Sequence, residues 1–214
     1  MLNYTVFKTK WGYFGLAGTG EAVSRTYLPV PERQEAEQGL LRSLKSAGDN
    51  LRLDKGFRQD AQERIIAYYE GEPVDFSVEP AISLNGSGPF AHQVLQACRK
   101  ISFGLTTTYS DLARQVGSPN AARAVGGVMA GNPIPLIIPC HRVLRTDGGL
   151  GGFSAPGGTA IKQEMLRHEQ AACDGRHGHL DCGSRGQDRC CLNPGSDTQI
   201  GRCPPPNTNQ GPLK

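Results

Sequence analysis

The chain has 214 residues and a mass of 23.0 kDa, and it is 37% hydrophobic and 20% charged, as ordinary globular proteins are. No apolar run approaches the roughly 20 residues of a membrane-spanning helix, and the alternating N-terminus lacks the apolar core of a signal peptide. The net charge is +3, and residues 85–170 carry 8 basic against 4 acidic residues. We therefore expect a cytoplasmic protein without membrane contact, whose middle segment suits a polyanion such as nucleic acid.

The first third of the chain predicts a small domain of strands followed by helices. Alternating apolar and polar residues favour strands within 2–19 and 21–30, with Gly12 and Gly15 as candidate turn positions. Helical patterns follow at 31–48, which Gly48 would end, and at 60–73, where Gly71 would end the helix. A stretch rich in Gly, Ser and Pro at 80–89 predicts a domain boundary, and we place the first domain at 1–84.

The next segment, residues 85–170, reads as a series of short helices. Helical patterns cover 89–101, 106–117 and 118–132; Thr108 or Ser110 is the candidate cap of the second helix, and Ser118 that of the third. The first places Cys98 among core positions, where free cysteine is common. The last two helices, with Arg123 on the second of them, fit a helix-turn-helix, although any two packed helices would look similar.

The last segment, residues 171–214, predicts disorder. It has seven Gly, five Pro, no aromatic residue and only four Leu or Ile, too little apolar surface to offset the entropy of ordering the chain. Four residues within it could bind zinc, but their spacing is not that of common structural zinc sites: Cys173, His177, His179 and Cys182. We predict no metal site in the chain.

The stretch PIPLIIPCHRV raises the possibility of a nucleophilic cysteine. Three prolines stiffen the approach to Cys140, and the Gly-rich stretch RTDGGLGGFSAPGG that follows could line a pocket. The thiol must lose its proton to react, and His141 is the adjacent candidate base. We expect Cys140 on a proline-stiffened strand. Since neighbouring side chains on a strand point to opposite faces, the pair needs a bridging water or a tight bend. Glu164 and Glu169 are candidate carboxylate partners for the histidine.

The motif IPCHRV at 138–143 has further motifs around it. RAVGGVMAGNP precedes it at 123–133, and GGFSAPGG and KQEMLRHE follow it. In this order and spacing they resemble the O6-alkylguanine-DNA alkyltransferases, also called methylated-DNA–protein-cysteine methyltransferases. The resemblance implies an α+β fold with a small ribonuclease-H-like α/β domain at 1–84, a winged-helix-like helix-turn-helix catalytic domain at 85–170 and a disordered tail at 171–214.

The resemblance also implies roles for individual residues. Cys140 is similar to the alkyl acceptor, His141 to the base that deprotonates it through a water, and Glu169 to the group that orients the histidine. Asn132 resembles the residue that braces the turn before the cysteine, and Tyr109 the donor that stabilises the leaving guanine. Two further sets of positions match the family. Those on the DNA-binding helix are Arg123, which replaces the flipped nucleotide, and the small residues Ala121, Ala122 and Gly126; those of the base pocket are Met129, Val143, Phe153 and Ser154.

The implied function is direct reversal of DNA damage. An alkyl group moves irreversibly from O6-alkylguanine, and from O4-alkylthymine, to the cysteine after the nucleotide is flipped out of the duplex. The protein would act once, as a monomer bound in the minor groove, without a cofactor. Two positions depart from the family pattern: Phe153 stands where many relatives carry Tyr, and Ala130 where some carry Arg.

Three other functions are compatible with part of the pattern. A non-catalytic lesion binder of the same fold would lack the cysteine, which here is present at position 140. A helix-turn-helix regulator would leave the Cys, His and Glu set unexplained. A cysteine hydrolase would need an oxyanion hole, for which the sequence shows no motif.

Overall fold

The N-terminal part of the fold is a four-stranded sheet. A computed structural model describes residues 1–44 and 50–177, and in it the sheet has the order β3-β2-β1-β4. Neighbouring strands are antiparallel except for β1 and β4, which are parallel. The predicted alternation resolves into β1 (Leu2–Thr9), β2 (Gly12–Thr19) and β3 (Ala22–Val30), and the sequence analysis missed the short edge strand β4 (Leu51–Leu53).

Two helices accompany this sheet. Helix α1 (Arg33–Ser43) is capped at Leu44, so it ends before the predicted stop; Gly48 lies outside the described residues. Helix α2 (Gln59–Glu70) ends as predicted at Gly71, whose φ of 101° suits a residue without a Cβ. The buried face of α2 carries Ala61, Ile65, Tyr68 and Tyr69.

The second half of the described chain surrounds the predicted nucleophile with helices. Its elements are α3 (Pro89–Arg99), β5 (Thr107–Thr108), α4 (Tyr109–Gln115), α5 (Ala122–Ala130), a 3₁₀ turn (Cys140–Arg142), β6 (Val143–Leu144) and α6 (Gly158–His177). Strands β5 and β6 pair in parallel. The Thr108 hydroxyl accepts a hydrogen bond from the Asp111 amide, so it is the cap of α4. The mixed α+β class and the buried position of Cys98 are confirmed.

Three local predictions were wrong. Helix α5 begins at Ala122 rather than near Ser118, because the Ser118 carbonyl accepts the Ala121 amide in a separate turn. Cys140 lies in a 3₁₀ turn rather than on a strand. Helix α6 continues through His177, past residue 171, where the tail was expected to begin. The rest of that tail lies outside the described residues.

The two halves share one hydrophobic core. Its buried members run from Phe14 and Leu16 in the sheet to Val125 in α5 and Met165 in α6. Strand β3 also reaches the loop that precedes Cys140. Thr26 donates its amide to the Pro133 carbonyl (3.1 Å) and its hydroxyl to the Pro135 carbonyl (2.7 Å). The sheet therefore helps to hold the loop that carries the thiol.

Two negative findings concern only residues 1–44 and 50–177. Within them, no helix combines the length and the apolar character that crossing a bilayer requires. The same residues contain no cluster of three or more His, Cys, Asp or Glu side chains placed to hold a metal ion. Of the four candidate zinc ligands, Cys173 lies on α6, whereas His179 and Cys182 lie outside the described residues, as does the side chain of His177.

Candidate active site

Asn132 braces the loop that presents Cys140. Its side-chain oxygen accepts the Ile134 amide at 3.0 Å, and its amide nitrogen donates to the Ile138 carbonyl at 2.8 Å and to Cys140 Sγ at 3.1 Å. Between these contacts the chain turns through Leu136, which has a φ of 78°, an unusual value for a residue with a branched side chain. One amide side chain thus fixes both ends of a tight loop and contacts the sulfur.

The Cys140 thiol is buried and protonated at rest. It is only 5% exposed, and burial raises its pKa above the ordinary value, since a thiolate is poorly solvated there. The hydrogen bond from Asn132 and the positive charge of Lys162 oppose this rise without cancelling it. The sulfur therefore needs a base at the moment it reacts.

His141 can act as that base. Its Nε2 lies 2.7 Å from Glu169 Oε1, and burial lowers the pKa of the imidazole despite the nearby carboxylate. A neutral ring beside a carboxylate carries its proton on Nε2, which leaves Nδ1 as the acceptor. Nδ1 is buried and has no hydrogen-bond partner among the residues that the structure describes. Cys140 and His141 are successive residues of one 3₁₀ turn, which bends the chain more tightly than a strand.

Glu169 stays ionised because several donors converge on it. Burial alone would raise the pKa of its carboxyl group, but His141 and Arg142 hold that pKa well below the ordinary value. Arg142 donates from Nε to Oε2 (3.0 Å) and from Nη2 to Oε1 (2.9 Å). The Gly104 amide donates to Oε2 (3.0 Å) and the Tyr68 hydroxyl to Oε1 (2.9 Å). These donors fix the position of the carboxylate, which accepts a hydrogen bond from Nε2 of His141.

Tyr109 and Lys162 lie on the other side of the thiol. Burial raises the pKa of the half-buried Tyr109 phenol, which is therefore a neutral donor at pH 7. The Lys162 ammonium lies 5.7 Å from the centre of that ring and donates to the carbonyls of Val143 (2.7 Å) and Leu150. Desolvation lowers the pKa of Lys162 to about 8. A Cβ at Gly151 would lie 2.7 Å from the phenol oxygen, so the Gly-rich loop must pass close to Tyr109.

A cleft with a volume of about 220 Å³ opens beside the sulfur. The C-terminal half lines it with Asn132, Pro133, Cys140, Phe153 and Ser154 among others, and strand β3 lines it with Arg25, Thr26, Tyr27 and Leu28. The Ser154 hydroxyl donates to the Ala130 carbonyl at 2.7 Å, which ties the lip of the cleft to α5. Two predicted pocket residues, Met129 and Val143, are buried near the cleft rather than among its lining residues.

The predicted DNA-binding residues lie together at the start of α5. Arg123 is exposed, and Ala121, Ala122 and Gly126 are partly exposed beside it. A Cβ at Gly126 or Gly127 would meet nothing within 4 Å. This face of the helix therefore carries small side chains and the exposed guanidinium of Arg123.

The sequence analysis missed several parts of the site. It assigned no role to Lys162 or Tyr68, and it did not predict that Arg142 binds Glu169, although all three are buried and hydrogen-bonded around the thiol or its relay. A buried lysine or arginine gives no pattern of its own in a single sequence. The contribution of β3 to the cleft was also missed, because residues more than 100 positions apart meet there.

The buried thiol, the histidine–carboxylate pair that follows it in sequence and the cleft that opens on the sulfur are the parts that a protein with a cysteine nucleophile requires. Residues 89–171 match the family of the 6-O-methylguanine DNA methyltransferase, DNA binding domain. A methylated-DNA–protein-cysteine methyltransferase of Mus musculus is 44% identical over 111 residues, 51% of each chain. One of Cricetulus griseus is 33% identical over 185 residues, 80% of this chain and 86% of that protein.

A solved structure agrees with these relatives. The Mycobacterium tuberculosis OGT in complex with DNA has a TM-score of 0.65 and 29% identity, over 79% of this chain and 94% of that one. The chain spans about half the length of the mouse relative and most of the hamster one. It belongs to the methylated-DNA–protein-cysteine methyltransferase family.

Replacing Asn132 with Ala should make Cys140 less acidic, because the side-chain donor that stabilises the thiolate is lost. We expect the midpoint of Cys140 alkylation by iodoacetamide, followed against pH by mass spectrometry of its peptide, to move to higher pH. Asn120→Ala, at an exposed position in the turn before α5, is the matched control. An unchanged midpoint in Asn132→Ala would show that the contact does not tune the thiol.

Replacing Glu169 with Gln should destabilise the fold at pH 7 by about 2–3 kcal/mol, because the Arg142 charge loses its buried partner. Since folding depresses the pKa of Glu169, its contribution is complete above the ordinary value of 4.5 and is lost as pH falls below it. Urea unfolding of wild type and variant should therefore show a difference that shrinks below pH 4.5. Glu164→Gln, on the exposed face of α6, should change stability little; a pH-independent difference for Glu169→Gln would contradict the assignment.

Proposed function

We propose that the protein repairs DNA by moving the alkyl group of O6-alkylguanine, and of O4-alkylthymine, to Cys140. The observation that carries the proposal is the arrangement of Asn132, Cys140, His141 and Glu169, in which Asn132 donates to a protonated thiol and a buried carboxylate orients the neutral imidazole of the next residue. Such a site activates sulfur only when a proton can leave, which suits a single displacement on a bound substrate.

The atoms balance in one step. Cys140 Sγ attacks the alkyl carbon, a carbon–sulfur bond forms and the carbon–oxygen bond to the base breaks. The thiol proton passes to Nδ1 of His141 through a water, and the departing guanine takes up a proton that the Tyr109 phenol delivers. The His141 imidazolium then returns a proton through solvent to the Tyr109 phenolate, so both groups end neutral. Electrostatic help comes from Lys162, whose charge favours the thiolate. The thioether has no activated bond for water to attack, so each molecule acts once.

The substrate must leave the duplex to reach the sulfur. A base edge inside stacked DNA cannot approach a thiol that is only 5% exposed, so we propose nucleotide flipping, at a cost of a few kcal/mol. Helices α4 and α5 would act as a helix-turn-helix, with α5 in the minor groove, where its small residues allow close approach. Arg123 would fill the space of the flipped nucleotide.

The two departures from the family pattern change the polarity of the cleft and the charge of the DNA-binding face. Phe153 lines the cleft without the hydroxyl of a tyrosine, which makes that wall more apolar. Ala130 is exposed at the end of α5 and offers no charge to a phosphate, which lowers affinity for DNA in general. We also propose action as a monomer and a cytoplasmic location.

Incubation with duplex DNA carrying one labelled O6-methylguanine should transfer one label per protein molecule and then stop, because no step regenerates the thiol. Cys140→Ala should abolish transfer. Cys98→Ala, which removes a buried thiol of the core, should keep the 1:1 stoichiometry. Repeated turnover, or label that stays on the DNA with wild-type protein, would exclude the proposed reaction.

Replacing Arg123 with Ala should slow repair of a duplex by more than tenfold, because part of the cost of flipping is no longer offset. Reaction with free O6-benzylguanine, which needs no flipping, should keep its rate. Arg114→Ala removes an exposed arginine of α4 and provides the comparison for a general loss of positive charge. Equal loss on duplex and free base in Arg123→Ala would show that the arginine does not act in flipping.

A further inference from the structure

Tyr68 connects the N-terminal half to the catalytic relay. It lies on α2, is fully buried, and donates its hydroxyl to Glu169 Oε1 at 2.9 Å, across 101 positions of sequence. Oε1 is also the oxygen that faces His141 Nε2 at 2.7 Å. We propose that Tyr68 is a positioning residue for the His141–Glu169 pair, an inference that rests on the proposed function and makes the N-terminal half part of the relay.

Several contacts fix the Tyr68 ring in place. It stands edge-on to the rings of Tyr69 (5.1 Å between centroids) and Phe103 (5.8 Å). Its backbone carbonyl lies 2.7 Å from Nε2 of His168, the residue next to Glu169 on α6. The same tyrosine therefore contacts two successive residues of α6, one through its backbone and one through its hydroxyl. A phenol held in this way can define where the carboxylate lies.

The hydroxyl also affects how strongly Glu169 attracts the His141 proton. Burial raises the pKa of Tyr68 well above its ordinary value, so the phenol is neutral and can only share its proton with the carboxylate. A donor on Oε1 disperses the negative charge there, which weakens the attraction for the imidazolium. The other charged or titratable groups around the pair are Arg142 beside it, Lys162 on α6, Cys140 in the same turn and His168 behind Tyr68. Arg142 also donates to Oε1, at 2.9 Å, and the Tyr68 phenol is a neutral donor beside it.

The chain contains a matched control for this phenol. Tyr69 is the next residue of α2 and is also fully buried, but its hydroxyl has no hydrogen-bond partner within the described part of the chain. Replacing either tyrosine with phenylalanine removes one buried oxygen from the same helix and the same core. Only the Tyr68 change touches the relay.

The test compares full-length wild type, Tyr68→Phe and Tyr69→Phe in single-turnover repair of duplex O6-methylguanine between pH 5 and 9. We expect Tyr68→Phe to react roughly tenfold more slowly, from the loss of one charge-assisted hydrogen bond. Its acidic limb should move to higher pH by about half a unit, because His141 holds its proton more tightly. Tyr69→Phe should keep the wild-type rate and pH profile. Urea unfolding of each variant shows whether it is folded.

A second measurement separates this inference from the proposed function. A nitrogen-15 NMR titration of His141 reports the His141–Glu169 pair without DNA. A His141 pKa that is higher in Tyr68→Phe than in wild type and in Tyr69→Phe supports the inference even if wild type repairs no DNA, in which case the proposed function alone fails. If wild type repairs DNA while Tyr68→Phe matches Tyr69→Phe in rate and pH profile, Tyr68 is not a positioning residue and only this inference is overturned.

Discussion

A single buried negative charge organises this protein. Glu169 is 1% exposed, and an ionised carboxylate at that depth is stable only where donors surround it. Those donors come from separate parts of the chain: Tyr68 from α2, the Gly104 amide from the segment after α3, and His141 and Arg142 from the turn that holds the nucleophile. Folding must assemble all of them around one residue of α6. The requirement to satisfy this charge therefore also positions the histidine that serves the thiol.

Cys140 and His141 are both held in their neutral forms. Burial raises the pKa of Cys140 and lowers that of His141, so both groups are neutral at rest, and neither reacts readily with solutes. Asn132, Lys162 and the orienting carboxylate supply the stabilisation that a transient thiolate and imidazolium need. In the proposed reaction the nucleophile would stay protonated until a base fills the cleft.

The sequence predicted those parts of this account that depend on local pattern. Periodicity placed α2 and α3 closely, and the motif around Cys140 predicted the pairing of His141 with Glu169, which lie 2.7 Å apart. Long-range contacts could not be predicted: Tyr68 and Arg142 look like ordinary core and surface residues until folding brings them to Glu169. The strand assigned to Cys140 was wrong because prolines and Leu136 force a tight turn there. Likewise, Ser118 has the chemistry of a helix cap, but its carbonyl closes a separate turn.

The central claim is that burial keeps His141 neutral, while Glu169 fixes the ring proton on Nε2 and leaves Nδ1 available to the thiol. Nitrogen-15 NMR of histidine-labelled protein, with the His141 signals assigned by their loss in His141→Gln, measures this directly. The account predicts a neutral ring at pH 7 whose Nε2 proton is strongly hydrogen-bonded, and a pKa below the ordinary histidine value. A charged imidazolium at pH 7, or a neutral ring with its proton on Nδ1, would contradict it.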